Sequence, residues 1–588
     1  MCGLVALFAH HPDAPPIEAG EMIAIRDAMT ARGPDGMGEW MAPDRRVGLA
    51  HRRLAIIDLK PSGAQPMATA DGRLVVTYNG EIYNYRELRA ELEAQGDRFA
   101  SESDTEVILH LYRRLGADLV HRLRGMFAFA LWDAEKQGLL LARDPFGIKP
   151  LYLAEDGRTL RAASQVKALL AGAQAAIDTA PDPAGHAGYF LWGHVPEPFT
   201  LYRGIRALPA GSWLWVDAAG ARRQERYFDP AGEIAKAEAS EHQLLAPALI
   251  DSVRHHLVAD VPVGVFLSAG RDSTTLAALA AQQLSTPLKT ITLGFAELEG
   301  TGFDEVPLAE RMAAHIQSRH ATKRITHEDF QANRARLLAD MDQPTIDGTN
   351  TWFVAKAARE AGLKVALSGL GGDELFQGYD TFTWVPKMAA RLGFAQSWPD
   401  LGKAARHVLA PWIGRIASPK VAGVLELGGS IAGAYLLRRA MFMPWELAEL
   451  LDPDLARAGL ERLDTLAALE RSQGGVRDPA QRVAALEIQW YMRNQLLRDA
   501  DWAGMAHGLE IRTPLVDVDF FRRILPLSRP KSDMADVPAP PLPAEIRARP
   551  KSGFLVPVHE WVRAEQPGER GFRGWAKAVY RGFTGTQA

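Results

Sequence analysis

Only one cysteine occurs in 588 residues, and it is Cys2. That excludes internal disulfides and any cysteine-built zinc site, so the fold must rest on buried apolar cores. It also places a strong nucleophile next to the chain start. Once Met1 is removed, which the small second residue permits, thiol and α-amine share one residue. The amine, with a reference pKa near ~8, can then take the thiol proton directly or through one water.

Apolar residues make up 47% and charged residues 23%, enough for ordinary globular cores. The length suggests about two to four domains. With 67 basic against 71 acidic residues and a net charge of −4, there is no basic face to bind nucleic acid. The start lacks the basic-then-apolar pattern of a secretory leader. Val421–Leu437, the most apolar later stretch, contains Glu426 and several glycines and falls short of a membrane span. It reads as a buried or domain-packing helix. The expectation is a cytoplasmic protein with neither membrane nor nucleic-acid partners.

Residues 1–235 alternate short β-like runs, among them Gly3–Ala9, Val47–Asp58, Leu74–Tyr78, Ala128–Trp132 and Gly138–Arg143, with helical patterns at Asn84–Gln95 and Thr105–Leu115. This predicts an α+β domain of stacked sheets. Turn residues at Tyr227–Gly232 place a boundary near 235. From 236 to 588, apolar runs at Val263–Leu267, Thr290–Phe295 and Val365–Ser368 alternate with long helical segments. That alternation predicts an α/β domain with a parallel sheet. Residues 385–500 read as a helical extension, and Asp533–Pro543, rich in proline and alanine, reads as an exposed loop.

Motifs are dense in the first domain. They include Arg32-Gly33-Pro34-Asp35, His51-Arg52-Arg53-Leu54-Ala55-Ile56, Tyr78-Asn79-Gly80-Glu81, Ser103-Asp104-Thr105-Glu106, Arg124-Gly125-Met126-Phe127 and Arg143-Asp144-Pro145-Phe146-Gly147. With Cys2-Gly3 they resemble the class II, N-terminal-nucleophile glutamine amidotransferase domain. Glutamine hydrolysis needs a thiolate, donors for the oxyanion, an arginine fork for the substrate carboxylate and an acid for its ammonium. The resemblance implies that Cys2 attacks and that Asn79 with the Gly80 N–H forms the oxyanion hole. It further implies that Arg53, Ile56, Asn79, Glu81 and Asp104 bind glutamine. Each residue also has a plain structural reading: Asp104 as a helix cap, Asn79-Gly80 as a hairpin turn, Arg53 as a surface arginine. Nothing in this half departs from what the chemistry requires.

In the second domain, Val263–Leu267 runs into Ser268-Ala269-Gly270-Arg271-Asp272-Ser273 and a helix, the pattern of an anion cradle. Gly371-Gly372-Asp373-Glu374-Leu375-Phe376, Met505–Arg512, Pro514–Asp517 and Pro550-Lys551-Ser552-Gly553-Phe554 follow. Together these resemble the synthetase domain of glutamine-hydrolysing asparagine synthetases, with its ATP-pyrophosphatase fold. The resemblance implies that Leu267, Ser268, Ala269, Gly270, Asp272, Ser273, Leu293, Ser368 and Gly369 bind ATP. Asp272 and Asp373 would hold Mg²⁺, and Lys551 would act catalytically on the phosphates or the adenylate. The implied reaction adenylates a carboxylate, L-aspartate by default, and aminates it with ammonia from glutamine along a closed internal path. A homodimer is compatible with this resemblance.

Several departures bear on the acceptor. Ala269 stands where the family usually has glycine, with Arg271 in place of a usually apolar residue. Leu370 stands where asparagine synthetases commonly carry an acid. Gln377 stands where glycine is common, and Gln165 stands where Ser164-x-x-Lys167 would usually enclose a glutamate. These departures keep open the same chemistry on another carboxylate, such as a sugar acid, a cell-wall peptide or a natural-product intermediate. A non-catalytic glutamine- or nucleotide-binding module would have lost Asp272, Asp373 or Lys551, and all three are present.

Overall fold

The structure, a computed structural model, describes residues 2–237, 245–416, 418–525, 531–549, 556–562 and 571–585. Lys551 and the whole of its motif, residues 550–554, lie outside the described residues.

The first half stacks two antiparallel sheets of six strands each. One has the order Ile205–Ala207, Tyr152–Glu155, Thr159–Ala163, Gly3–Ala9, Val47–Arg53, Gly36–Met41. The other runs Arg222–Arg226, Ser212–Asp217, Gly138–Arg143, Gly125–Asp133, Leu74–Ile82, Met67–Ala68. The chain start is a central strand, which explains why Gly3–Ala9 is buried on both faces. Leu4, Ala6 and Phe8 meet Val75, Ala128, Ala130 and Leu141 of the second sheet. The alternate residues Val5, Leu7 and Ala9 pack with Met22, Ile25 and Leu169, contributed by helices Ala19–Asp27 and Val166–Ala173. The second sheet's outer face, with Tyr78, Phe127 and Phe129, packs with Leu88, Val107 and Ile108 of helices Tyr85–Ala94 and Thr105–Leu115. The result is a helix–sheet–sheet–helix sandwich, as the alternating pattern predicted.

The second half carries a five-stranded sheet, ordered Arg319–Ile325, Lys289–Phe295, Val263–Phe266, Val365–Leu367, Glu510–Arg512, with every pair parallel. Strand order reverses beside Val263–Phe266, so the crevice at the carboxyl ends of this strand and Val365–Leu367 is the natural ligand position. Helices from Thr381 to Met505 form the extension, which includes a π-helix at Glu487–Leu497 running into helix Arg498–Met505. Such segments are rare and concentrate at functional sites.

Two local expectations are corrected. Val421–Leu437 is not one helix: a 3-10 turn, a short helix Val424–Leu427 and a helix Ile431–Arg439 are separated at Gly428-Gly429, and Val421 is exposed. Asp533–Pro543 is not simply an exposed loop. Its first residues belong to a 3-10 turn, Lys531–Asp536, in which Met534 and Ala535 are buried. Among the described residues no helix is long and apolar enough to cross a membrane.

Candidate active sites

Cys2 is buried, and its backbone N–H donates to Asn79 Oδ1 at 2.9 Å. That bond fixes the amide of Asn79, which is itself fully buried, and leaves Nδ2 with no hydrogen-bond partner. An unpaired buried amide donor is costly unless something uses it. Asn79-Gly80 is not a hairpin turn; the pair lies inside the strand Leu74–Ile82, opposite Ala128 and Phe127. A side chain at Gly80 would sit 2.1 Å from the Met126 carbonyl oxygen, so only glycine fits there.

Burial pushes the Cys2 thiol above its ordinary range, while the Leu54 N–H and the Arg53 charge favour the thiolate and Glu81 opposes it. Arg53 is fixed by its own strand and loop, donating to the carbonyls of Lys60 at 3.1 Å and Ile57 at 3.3 Å and to that of Asp58. Ile56 is buried, and its carbonyl accepts the Asp260 N–H at 2.9 Å, which ties this loop to the second half. Asp104 does not cap its helix. It accepts from Tyr78 Oη and the Ile82 N–H, both at 3.0 Å, and burial raises its pKa. Glu81 is also buried and raised, first by burial and then by Glu510, with Arg512 at 3.4 Å in opposition.

Sequence reading missed the residues that join the halves at this site. Arg32 Nε donates to the Cys2 carbonyl at 3.1 Å, and its other two nitrogens fork onto Asp501 at 2.7 and 3.1 Å. Lys149 Nζ reaches the same carboxylate at 3.4 Å. Asp501 lies on helix Arg498–Met505, and the preceding helical turn supplies Leu496 and Ala500 to the wall of the nucleotide crevice.

That crevice, about 280 Å³, is lined by the loop Leu267–Ser273, by Leu293, by Ser368–Gly371 and by Asp373, bringing together every ATP-binding position expected from the sequence. Ser268 and Ser273 hydroxyls bond at 2.8 Å, and Ser268 Oγ accepts the Gly270 N–H at 3.1 Å. Ala269 is buried without adopting a positive φ, so the extra methyl is accommodated. Arg271 lines the crevice and does not point freely to solvent. It donates to the carbonyls of Arg547 and Arg549, at 2.7 and 2.8 Å for Nη2. Gln377 does adopt the left-handed φ of +55° that glycine would favour.

Asp272 and Asp373 converge, and the ammonium of Lys531 lies 2.5 Å from a carboxylate oxygen of each. Glycines make this approach possible: a Cβ on Gly372 would sit 2.6 Å from Asp272 carboxylate oxygens, and one on Gly378 would sit 2.0 Å from Asp373 Oδ1. Two hard carboxylates sharing one cation fit the donor set that Mg²⁺ takes beside phosphates. Lys531 had no sequence signal: it lies two residues before the Asp533–Pro543 segment read as a loop, and no quoted motif contains it.

Two family models match the chain: a glutamine amidotransferase domain over residues 1–228 and asparagine synthase over residues 244–570. The chain belongs to the asparagine synthase family. Within that family, a provisionally named asparagine synthetase of Mycobacterium tuberculosis is 36% identical over 96% of this chain and 89% of its own length. Glutamine-hydrolysing asparagine synthetase 1 of Bacillus subtilis is 32% identical over 96% of this chain and 88% of its own. The family is not uniform in name: amidase chry2 of Gibberella zeae is 28% identical over 88% of this chain and 81% of its own. As a member of the family, the protein is a glutamine-hydrolysing carbon–nitrogen ligase, and ATP use is implied with it.

Proposed function

We propose that this enzyme hydrolyses glutamine at Cys2 and uses the ammonia to amidate an adenylated carboxylate in the cytoplasm, with the work divided near residue 235. The observation that carries the glutaminase half is the Asn79 amide, locked by the Cys2 N–H and left with one unpaired buried donor. The Cys2 thiolate adds to the glutamine side-chain carbonyl, and the oxyanion is received by Asn79 Nδ2 and the Gly80 N–H. Ammonia leaves with a proton, and water cleaves the thioester to glutamate. Arg53 takes the substrate carboxylate, Asp104 and Glu81 face its ammonium, and Ile56 closes the pocket wall.

In the crevice, an acceptor carboxylate oxygen attacks the α-phosphorus of ATP and pyrophosphate leaves. Ammonia then attacks the acyl carbon, AMP leaves, and the amide remains. The loop Ser268–Ser273 cradles phosphate, while Leu267, Leu293, Ser368 and Gly369 surround the nucleoside. Asp272 and Asp373 hold Mg²⁺, which neutralises phosphate charge when bound, and Lys551 assists the adenylate.

L-Aspartate is the acceptor that the family name suggests. A different carboxylate is favoured by one observation: Leu370 lines the crevice where a charged partner for an amino-acid acceptor would stand. Pyrophosphate release in the presence of ATP, Mg²⁺, glutamine and a carboxylate tests the reading, which requires release that depends on the carboxylate.

A further inference from the structure

A second cavity, about 270 Å³, lies against the nucleotide crevice, and its size is close to the roughly 300 Å³ at which small-molecule sites begin. Two elements run through both walls. Thr349 lines the second cavity while Asn350 and Thr351 line the crevice, and the π-helix gives Tyr491 to the cavity and Leu496 to the crevice. The partition is aromatic. Tyr379, which lines the crevice, meets Tyr491 edge-on at 5.9 Å, and Arg439 lies over both rings, at 4.8 and 3.9 Å.

The lining has a definite chemistry. Trp192 packs against Trp490 at 5.3 Å and Tyr435 at 6.3 Å, with Ile346, Met441 and Val558 on the wall. The charges there are already satisfied or suppressed. Arg439 is bound to Glu487 through two nitrogens, at 3.0 and 2.7 Å. Asp347, the one acid among the described lining residues, accepts the Gly348 N–H at 2.9 Å, and burial favours its neutral form.

Resting on the ligase reading above, we infer that this cavity seats the body of the acceptor, and that the acceptor is a carboxylic acid bearing a flat apolar ring. The ring lies among Trp192, Trp490 and Tyr435. The carboxylate points past Tyr379 to the crevice. Aspartate fits less well, because Arg439, the one cation among the described lining residues, is already paired with Glu487 and offers its second carboxylate no free charge.

The test measures pyrophosphate release by the full-length protein with ATP, Mg²⁺ and glutamine, using 4-hydroxyphenylacetate, indole-3-acetate or L-aspartate as acceptor. The expected result is release with an aryl acid at least tenfold above release with aspartate. Met441→Trp and Val558→Phe, which fill the cavity, should each raise the KM for the aryl acid at least tenfold, with glutaminase activity retained as the check on folding. Faster release with aspartate, or an aryl-acid KM unmoved by both variants, overturns the inference and leaves the ligase reading standing. No release with any of the three acids, with glutamine still hydrolysed, overturns this inference alone; the ligase reading falls only if pyrophosphate release depends on no carboxylate in a wider panel that includes sugar acids and peptides.

Discussion

Asp501 of the synthetase half and Arg32 of the glutaminase half form a buried two-point ion pair, and the third nitrogen of Arg32 holds the carbonyl of Cys2. Helix Arg498–Met505 is therefore in mechanical contact with the glutaminase centre, while the turn that feeds it touches the nucleotide crevice. Removing one partner of a buried pair leaves an uncompensated charge, at a cost of about 3–5 kcal/mol. Asp501→Ala should lower the melting temperature by several degrees and reduce glutamine hydrolysis more than ammonium-driven synthesis. Calorimetry together with a glutamate-release assay checks this, and equal losses in both activities would mean that Asp501 only supports the fold.

The same carboxylate gives a pH prediction. Although burial alone would raise Asp501, Arg32 and Lys149 hold it below its usual range. Its contribution to stability is complete above the unfolded value near ~4 and is lost as the pH falls through the folded value. Asp501→Asn should therefore flatten the acid limb of a melting-temperature profile below about pH 4.

Asn79→Ala removes an oxyanion donor. Glutamine kcat should fall about 100- to 1000-fold, the usual effect of losing one such donor. Pyrophosphate release driven by ammonium should be retained. An Asn79→Ala enzyme with undiminished glutamine kcat would remove Asn79 from the oxyanion hole.

Much of the site was legible because its chemistry is local. Cys2, Asn79, Gly80 and the loop Ser268–Ser273 sit in contiguous strand or strand–loop–helix patterns, and such patterns survive in sequence. The boundaries of Thr105–Leu115 and Gly138–Arg143 were equally readable, from a glycine stop and from uninterrupted apolar runs. What was not legible depends on distant contacts. Lys531 reaches Asp272 across 259 positions, and Arg32 reaches Asp501 across 469, as their numbers show. No spacing rule connects them. Val421–Leu437 failed for a different reason, since apolar content does not reveal that Gly428-Gly429 breaks the helix.

Glu374 lines the nucleotide crevice, and its Oε1 accepts from Tyr379 Oη at 2.8 Å. Burial, with Asp373 beside it, raises its pKa to about 7. A raised carboxyl is protonated in the folded state where the unfolded chain has already ionised. Its effect is therefore a loss of stability as the pH climbs from the unfolded value near ~4 toward 7, amounting to about 3 kcal/mol. Glu374→Gln should remove most of that decline in a melting profile between about pH 5 and 7.5. An unchanged slope would place the titration elsewhere.

Asp272→Asn removes half of the carboxylate pair that Lys531 bridges. Pyrophosphate release should fall at least tenfold and its Mg²⁺ requirement should rise, while glutamate release persists. Full pyrophosphate release at low Mg²⁺ would separate Asp272 from the metal.

The central claim is that two chemistries on one chain share one ammonia molecule. Glutamine carrying ¹⁵N in its side-chain amide, supplied with ATP, Mg²⁺ and a panel containing aspartate and aryl acids, tests it directly by mass spectrometry. The account predicts one ¹⁵N-amide for each pyrophosphate released, and for Cys2→Ala an amide formed only when ammonium is added. Labelled ammonia released to solution, with no amide and no pyrophosphate from any acid, would contradict it.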